Sequence, residues 1–189
     1  MVNMLKVLIA VIVLLAIIGL ALLGKKIFRT LIFKTAKTPN NESTWLMIMT
    51  GLVTVGIAIA YYVNNDPAAD PVMWTGLVIF FLGGLLQIIA RRQLHEDKTF
   101  EERLSSGFEA AQTGIYSVLR HPNKTALLLI VIGFSMIMGS IWALALAIIL
   151  FFPSVLYRIS QEEAVLLDKF GDRWLDYKSE TKRIIPKIL

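Results

Sequence analysis

Long apolar runs separated by short polar connections set the pattern of this chain. Residues 7–23 are continuously apolar and end at Gly24-Lys25-Lys26. No small-residue cleavage site follows, so the run predicts a transmembrane helix and not the core of a signal peptide. Residues 45–63 and 72–90 are two further stretches of about 19 residues, enough at about 1.5 Å per residue to cross roughly 30 Å of hydrocarbon. The polar run NNDPAADP at 64–71 predicts the turn between them. Residues 125–157 are too long for one ordinary span and are broken at Gly139-Ser140, which predicts a helical hairpin of two short arms. Pro153 predicts a kink in the second arm. Phe170-Gly171 predicts a helix end with Gly171 in the left-handed cap conformation, and Asp172 predicts the cap of a second short helix. The pattern is that of an all-α polytopic integral membrane protein with five transmembrane helices, the last two a helical hairpin, plus short cytoplasmic C-terminal helices. It makes one membrane domain over residues 1–189, with three helices in 1–90 and a core in 91–189.

Composition removes the soluble alternative. At 56% hydrophobic and 17% charged residues, with mean hydropathy +0.67, no globular surface of this size hides the apolar excess. The absence of cysteine excludes a disulfide framework, a thiolate nucleophile and cysteine-based metal sites. The net charge of +5 is the basic excess expected of cytoplasmic loops beside anionic lipid, so nucleic acid is not an expected partner. Of the 19 lysines and arginines, all but Lys6 fall on one side of the predicted spans. The expected topology therefore has the N-terminus outside and the C-terminus in the cytoplasm. Small size and the lack of an appended targeting segment point to a bacterial or archaeal inner membrane. His95 and His121 are the only histidines and lack zinc-ligand spacing, so no metal is expected. No dinucleotide-binding glycine motif and no phosphate-binding loop occurs.

The candidate chemistry lies in the last third, on the predicted cytoplasmic face. Pro122, after Arg120-His121, suits the first turn of the fourth span. Free N–H groups at Asn123, Lys124 and Thr125 then offer a carboxylate or phosphate a place to bind; the plain alternative is an interfacial helix start with snorkelling bases. Arg158 and Glu162 share a helical face directly after the fifth span. The arginine can clamp a carboxylate through two parallel hydrogen bonds, or the pair can be an ordinary intrahelical ion pair. Glu163 points about 100° away, so one of the two acids need only face water. Trp174 and Tyr177 either belong to an interfacial aromatic belt or wall an adenine-sized pocket.

Taken in order, Gly114-x-Tyr116-x-x-x-Arg120-His121-Pro122, a helical hairpin, Arg158-x-x-x-Glu162-Glu163, Phe170-Gly171-x-x-Trp174-x-x-Tyr177 and Arg183-x-x-Pro186 resemble the isoprenylcysteine carboxyl methyltransferase family. Phospholipid N-methyltransferases belong to the same wider group. The resemblance covers about residues 90–189 and implies a membrane enzyme that uses S-adenosyl-L-methionine. By position, the implied cofactor contacts are Phe108, Glu109, Ala110, Ala111, Tyr116, His121, Pro122, Asn123, Lys124 and Glu162. Arg158 falls at the substrate-contacting arginine, and Arg158, Glu162 and Arg120 are the implied catalytic residues. Similar proteins usually carry an aromatic residue where this chain has Lys124.

The implied reaction carries a methyl group to a lipophilic acceptor, most like a prenylcysteine-type carboxylate. Such a nucleophile is ionised at neutral pH and needs no base, leaving Arg158 to orient it. An amine nucleophile, as in a phospholipid N-methyltransferase, needs deprotonation, with Glu162, Glu163 or His121 as the base. Two further alternatives stay open. Arg120-His-Pro-Asn123 also fits a sterol-reductase-like enzyme using NADPH, although Lys124-Thr125-Ala126 lacks the residues expected next. A non-catalytic membrane scaffold is the other. The expected partners are membrane lipids and a lipophilic or lipid-modified substrate.

Overall fold

The computed structural model describes residues 41–65, 67, 69–93 and 114–184. The first predicted span, His95 and the predicted cofactor residues Phe108, Glu109, Ala110 and Ala111 lie outside them. Among the described residues five helices follow one another: α1 (Asn41–Asn65), α2 (Pro71–Gln93), α3 (Pro122–Ile137), α4 (Ile141–Phe170) and α5 (Asp172–Glu180). A 3₁₀ turn at Gly114–Ser117 precedes α3.

The helix boundaries follow from local chemistry. Asn64 and Asn65, expected in the turn, extend α1 and donate their side-chain amides to the carbonyls of Ala60 (2.7 Å) and Tyr61 (3.0 Å). Both are bonds back to the carbonyl one turn earlier, made inside the last turn of the helix. Asp70 caps α2, its Oδ1 accepting from the Met73 N–H at 2.8 Å, with Pro71 in the first turn where no N–H is needed. The hairpin between α3 and α4 turns where expected, through Gly139 at φ 64°. Ser140 then caps α4 by accepting from the Ala143 N–H at 3.2 Å.

Only the first arm of that hairpin is short, where two short arms were expected. α3 has 16 residues, while α4 runs for 30. Pro153 does not end it, because residues Ala147–Phe151 directly ahead form a π-helical turn. The wider turn makes room for the proline ring against the preceding carbonyls, and the helix continues. α1, α2 and α4 are long and apolar enough to cross a membrane; α3 falls short of that length, so the described residues contain three such helices and not four.

Backbone approach fixes α2 on α3. A Cβ at Gly76 would lie 2.5 Å from Met136 Cβ, one at Gly83 2.9 Å from the Ile130 nitrogen, and one at Gly133 2.6 Å from the Phe80 nitrogen. Small residues at such a crossing are the usual device for packing helices in lipid, where apolar contact alone gives no preference for protein over lipid. Met47 of α1, Leu128 and Val131 of α3, and Ala147, Phe151, Val155 and Ile159 of α4 form the core, closed below by Ile184. Across it Thr50 and Ser154 share a 2.8 Å hydrogen bond. Val78, Phe81, Leu85, Trp142 and Ile149 point outward, exposed, an apolar surface suited to lipid.

The C-terminal elements fold back beneath the hairpin. Gly171 closes α4 through its N–H to the Leu167 carbonyl (2.9 Å) and also begins α5. Its φ of 53° with ψ −126° is not the left-handed helical conformation expected, though it is still one that favours glycine. Asp172 lies inside the first turn and makes no capping bond. After α5 the chain runs beside the segment before α3. Arg120 N–H donates to the Lys182 carbonyl (2.7 Å), Lys182 N–H to Val118 (3.1 Å) and His121 N–H to Arg183 (3.2 Å), an isolated parallel bridge.

Candidate functional site

The start of α3 meets the polar half of α4 just past the core. Counted from Ile141, about 20 residues span the hydrocarbon, which leaves the Arg158 to Glu163 stretch near its edge. Arg158 and Glu162 form the expected pair, the arginine Nε donating to Glu162 Oε1 at 2.9 Å. Lys124 reaches the same oxygen from α3, with Nζ at 3.0 Å. His121 completes this half, its Nδ1 3.5 Å from Glu162 Oε2. Arg158 also donates through Nη1 to Ser43 Oγ at the start of α1, at 3.2 Å, so three helices converge on one guanidinium and its carboxylate.

Glu163 gathers a second set of cations. It accepts from Arg120 Nε (3.2 Å), Arg183 Nε (3.2 Å) and Arg183 Nη2 (2.6 Å), and is buried. The idea that one glutamate merely faces water is therefore wrong: the chain returns at 181–184 and lays Arg183 over it. Arg120 also donates to the carbonyls of Lys178 (2.9 Å) and Thr181. That is the end of α5, where a basic side chain complements the unpaired carbonyls. Arg120 thus ties α5, the C-terminal segment and α4 together.

His121 lies between the two acids. Its Nε2 is 3.5 Å from Glu163 Oε1, within ion-pair reach but without hydrogen-bond geometry. That buried nitrogen and Asn123 Oδ1 have no hydrogen-bond partner among the described residues. Two orphaned buried polar atoms at the head of one helix are uncommon in a folded protein.

The expected N–H cradle is reduced. Both Lys124 N–H (2.9 Å) and Thr125 N–H (3.1 Å) donate to the His121 carbonyl, because the first turn closes on itself. Pro122, buried in that turn, has no N–H to offer. Asn123 instead turns its side-chain amide to the Tyr116 hydroxyl (3.4 Å), which donates in turn to the Ala90 carbonyl (3.4 Å). With its amide oriented to satisfy both neighbours, Gln87 donates to the Asn123 carbonyl (3.1 Å) and accepts from Arg91 Nε (3.0 Å). The head of α3 is thereby linked to the end of α2.

Trp174 and Tyr177 are not an interfacial belt. Both are buried, their rings 5.5 Å apart at 53°, and the Tyr177 hydroxyl donates to the Tyr116 carbonyl at 2.7 Å. Burial pushes that hydroxyl up to about 12, against the opposing pull of Arg120 and Thr181.

Arg158, Glu162, Arg120, His121 and Lys124 therefore stand in one cluster, with Asn123, Tyr116 and Pro122 beside it. Glu163, weighed only as a possible base, joins them, and Arg183, Ser43 and Gln87 do so without having been singled out as site residues. Arg183 carried a signal in its recurring motif with Pro186, but its partner depends on the bridge at Lys182. Ser43 carried none. No group of three or more metal-binding side chains occurs among the described residues.

The sequence profile of the family described as phospholipid methyltransferase matches residues 71–173. That stretch takes in α2, α3, α4 and both glutamates. Curated proteins give no significant match.

Proposed function

The chain belongs to the phospholipid methyltransferase family, a group of membrane methyltransferases acting on lipid-type substrates, and we propose that it methylates a lipid-borne carboxylate with S-adenosyl-L-methionine at the edge of the bilayer. The observation that carries this reading is the Arg158, Glu162 and Lys124 cluster, where α3 and α4 leave the core. Arg158 and Glu162 lie within one helical turn of the apolar core residues Val155 and Ile159.

The residues at the head of α3 fit the proposed cofactor. The orphaned His121 Nε2 and Asn123 Oδ1 call for polar ligand atoms, and Glu162 supplies a carboxylate for an ammonium group. Tyr116 and Pro122 border the same place, and the resemblance adds Phe108, Glu109, Ala110 and Ala111. When bound, S-adenosyl-L-methionine supplies an electrophilic methyl group on a sulfonium centre. The protein's own part is alignment and exclusion of water. Arg158, held by Glu162 and Ser43, orients the acceptor carboxylate. Because that group is already ionised at neutral pH, no side chain has to remove a proton. Arg120, through Glu163 and α5, holds the frame in which these groups meet.

Two measurements test the reading. Calorimetry with S-adenosylhomocysteine on purified protein in detergent is expected to give saturable binding, weakened about tenfold or more in Glu162→Gln, the scale of one charge-assisted contact of about 1.5 kcal/mol or more. No saturable binding to the wild type would sink the methyltransferase. With methyl-labelled cofactor and a prenylcysteine analogue, the label should enter a base-labile ester, released as methanol by alkali. Label confined to a base-stable amine would overturn the carboxylate assignment. The cytoplasmic placement of the site belongs to the same proposal and is tested by accessibility labelling of a cysteine introduced in α5.

A further inference from the structure

Arg158 is held from two helices at once. Its Nε donates to Glu162 Oε1 on its own helix at 2.9 Å, and its Nη1 donates to Ser43 Oγ of α1 at 3.2 Å. Ser43 is fully buried, and its short side chain cannot follow an arginine that moves. Anchors at two different atoms of one rigid, planar guanidinium fix the orientation of that plane. α1 is itself held in register with α4. Deeper along the same seam Thr50 and Ser154 share a 2.8 Å hydrogen bond, and a Cβ at Gly51 would lie 3.0 Å from the Phe151 ring. The family profile matches residues 71–173, so α1 and Ser43 lie outside it.

We propose that Ser43 is a positioning residue through which α1 preorganises Arg158 for an oxyanion of the acceptor, a role that rests on the reading of Arg158 as the acceptor's partner. An arginine that is loose in the free protein surrenders rotamer freedom when it binds. One that is already fixed does not, and the difference is about two- to tenfold in affinity. The effect belongs to the acceptor side of the cluster. Glu162, assigned to the cofactor, keeps Lys124 Nζ at 3.0 Å and His121 Nδ1 at 3.5 Å, and neither contact runs through Ser43. α1 is therefore part of the acceptor site as well as part of the core, although it contributes through Arg158 and not by touching the reacting atoms.

A guanidinium holds either a carboxylate or a phosphate, so the test uses two amphiphiles with the same long alkyl tail, one ending in each group. Each is titrated by calorimetry into full-length protein in non-ionic maltoside micelles, for wild type, Ser43→Ala, Ser43→Thr, Arg158→Gln and the Ser43→Ala, Arg158→Gln double variant. The head group that fits the site is the one whose binding Arg158→Gln weakens by about tenfold or more. For that probe Ser43→Ala should lose about two- to tenfold, while Ser43→Thr, which keeps the hydroxyl, should stay within about twofold of wild type. In the Arg158→Gln background Ser43→Ala should change nothing, because the two residues act as one unit. S-adenosylhomocysteine should bind wild type and Ser43→Ala alike, which a general loosening of the fold would not allow. If Ser43→Ala binds the probe as wild type does, or loses S-adenosylhomocysteine by the same factor, the role of Ser43 is overturned and that of Arg158 stands. If Arg158→Gln binds both probes as wild type does, the acceptor role of Arg158 fails and takes the proposal with it. Absence of S-adenosylhomocysteine binding to the wild type refutes methyl transfer separately, and the double variant still decides on Ser43.

Discussion

Replacing Glu163 with glutamine keeps the side chain's shape and removes its charge, which isolates what that charge does. The carboxylate accepts three hydrogen bonds from two guanidinium groups and is 6% exposed. Arg183, 30% exposed, can turn toward water when its partner goes. Arg120, 8% exposed, cannot, although it keeps the carbonyls of Lys178 and Thr181. One orphaned buried cation out of two places the cost near the lower end of the range for a broken buried pair, about 3 kcal/mol. The loss should appear in reversible unfolding by sodium dodecyl sulfate in mixed micelles, and as faster proteolysis after α5, whose tether to α4 runs through this carboxylate. Adding Arg183→Gln should cost less than the two single changes together, with a coupling of about 1–3 kcal/mol for groups in one network. If Glu163→Gln unfolds within about 0.5 kcal/mol of wild type, the size of an ordinary surface change, the buried ion cluster does not hold the C-terminal elements in place.

Gly133→Ala forces a Cβ to 2.6 Å from the Phe80 nitrogen and 2.7 Å from the Gly76 carbonyl oxygen, and should cost about 1–3 kcal/mol or more by overpacking. Gly84→Ala, with nothing within 4 Å, should be neutral or gain up to about 1 kcal/mol in helix propensity; equal effects in the same unfolding assay would refute the contact between α2 and α3. Thr50→Val removes the hydroxyl bonded to Ser154 and should cost about 0.6 kcal/mol, at most about 1.7, so a loss beyond that range points to something other than this bond. Tyr177 titrates near 12 instead of 10.0, so the folded state favours its protonated form. Its stabilising contribution is complete below pH 10.0 and is lost as pH rises toward 12. Tyr177→Phe should lower stability by about 1 kcal/mol at neutral pH and flatten the alkaline loss; an identical alkaline profile in the variant would contradict this.

The helices were legible because apolar length is a local property. Residues 45–63 and 72–90 lie inside α1 and α2, and Gly139-Ser140 does turn the hairpin. The pairing of Arg158 with Glu162 was legible for the same reason, four residues being one helical turn. What escaped depends on residues far apart in the chain. Arg183 meets Glu163 only because Lys182 pairs with Leu119, and Ser43 meets Arg158 only because α1 crosses α4 at that height. No periodicity announces either contact. Two of the three first-turn N–H groups of α3 named as free, those of Lys124 and Thr125, escaped for a different reason: the His121 carbonyl was available to take them.

The π turn at Ala147–Phe151 acts as a phase shifter. Such a turn amounts to one residue inserted into an α-helix, and it rotates everything beyond it by about 100° about the helix axis. Ahead of it, α4 presents Ala143 to the interior; beyond it come Arg158, Glu162 and Glu163. Deleting one residue from the turn would preserve the first set of contacts and swing the second away from Lys124 and Arg120. A single indel there, with every charged residue retained, would uncouple the polar cluster from the membrane helices, so length at this point of the chain is as much a part of the site as the residues that line it.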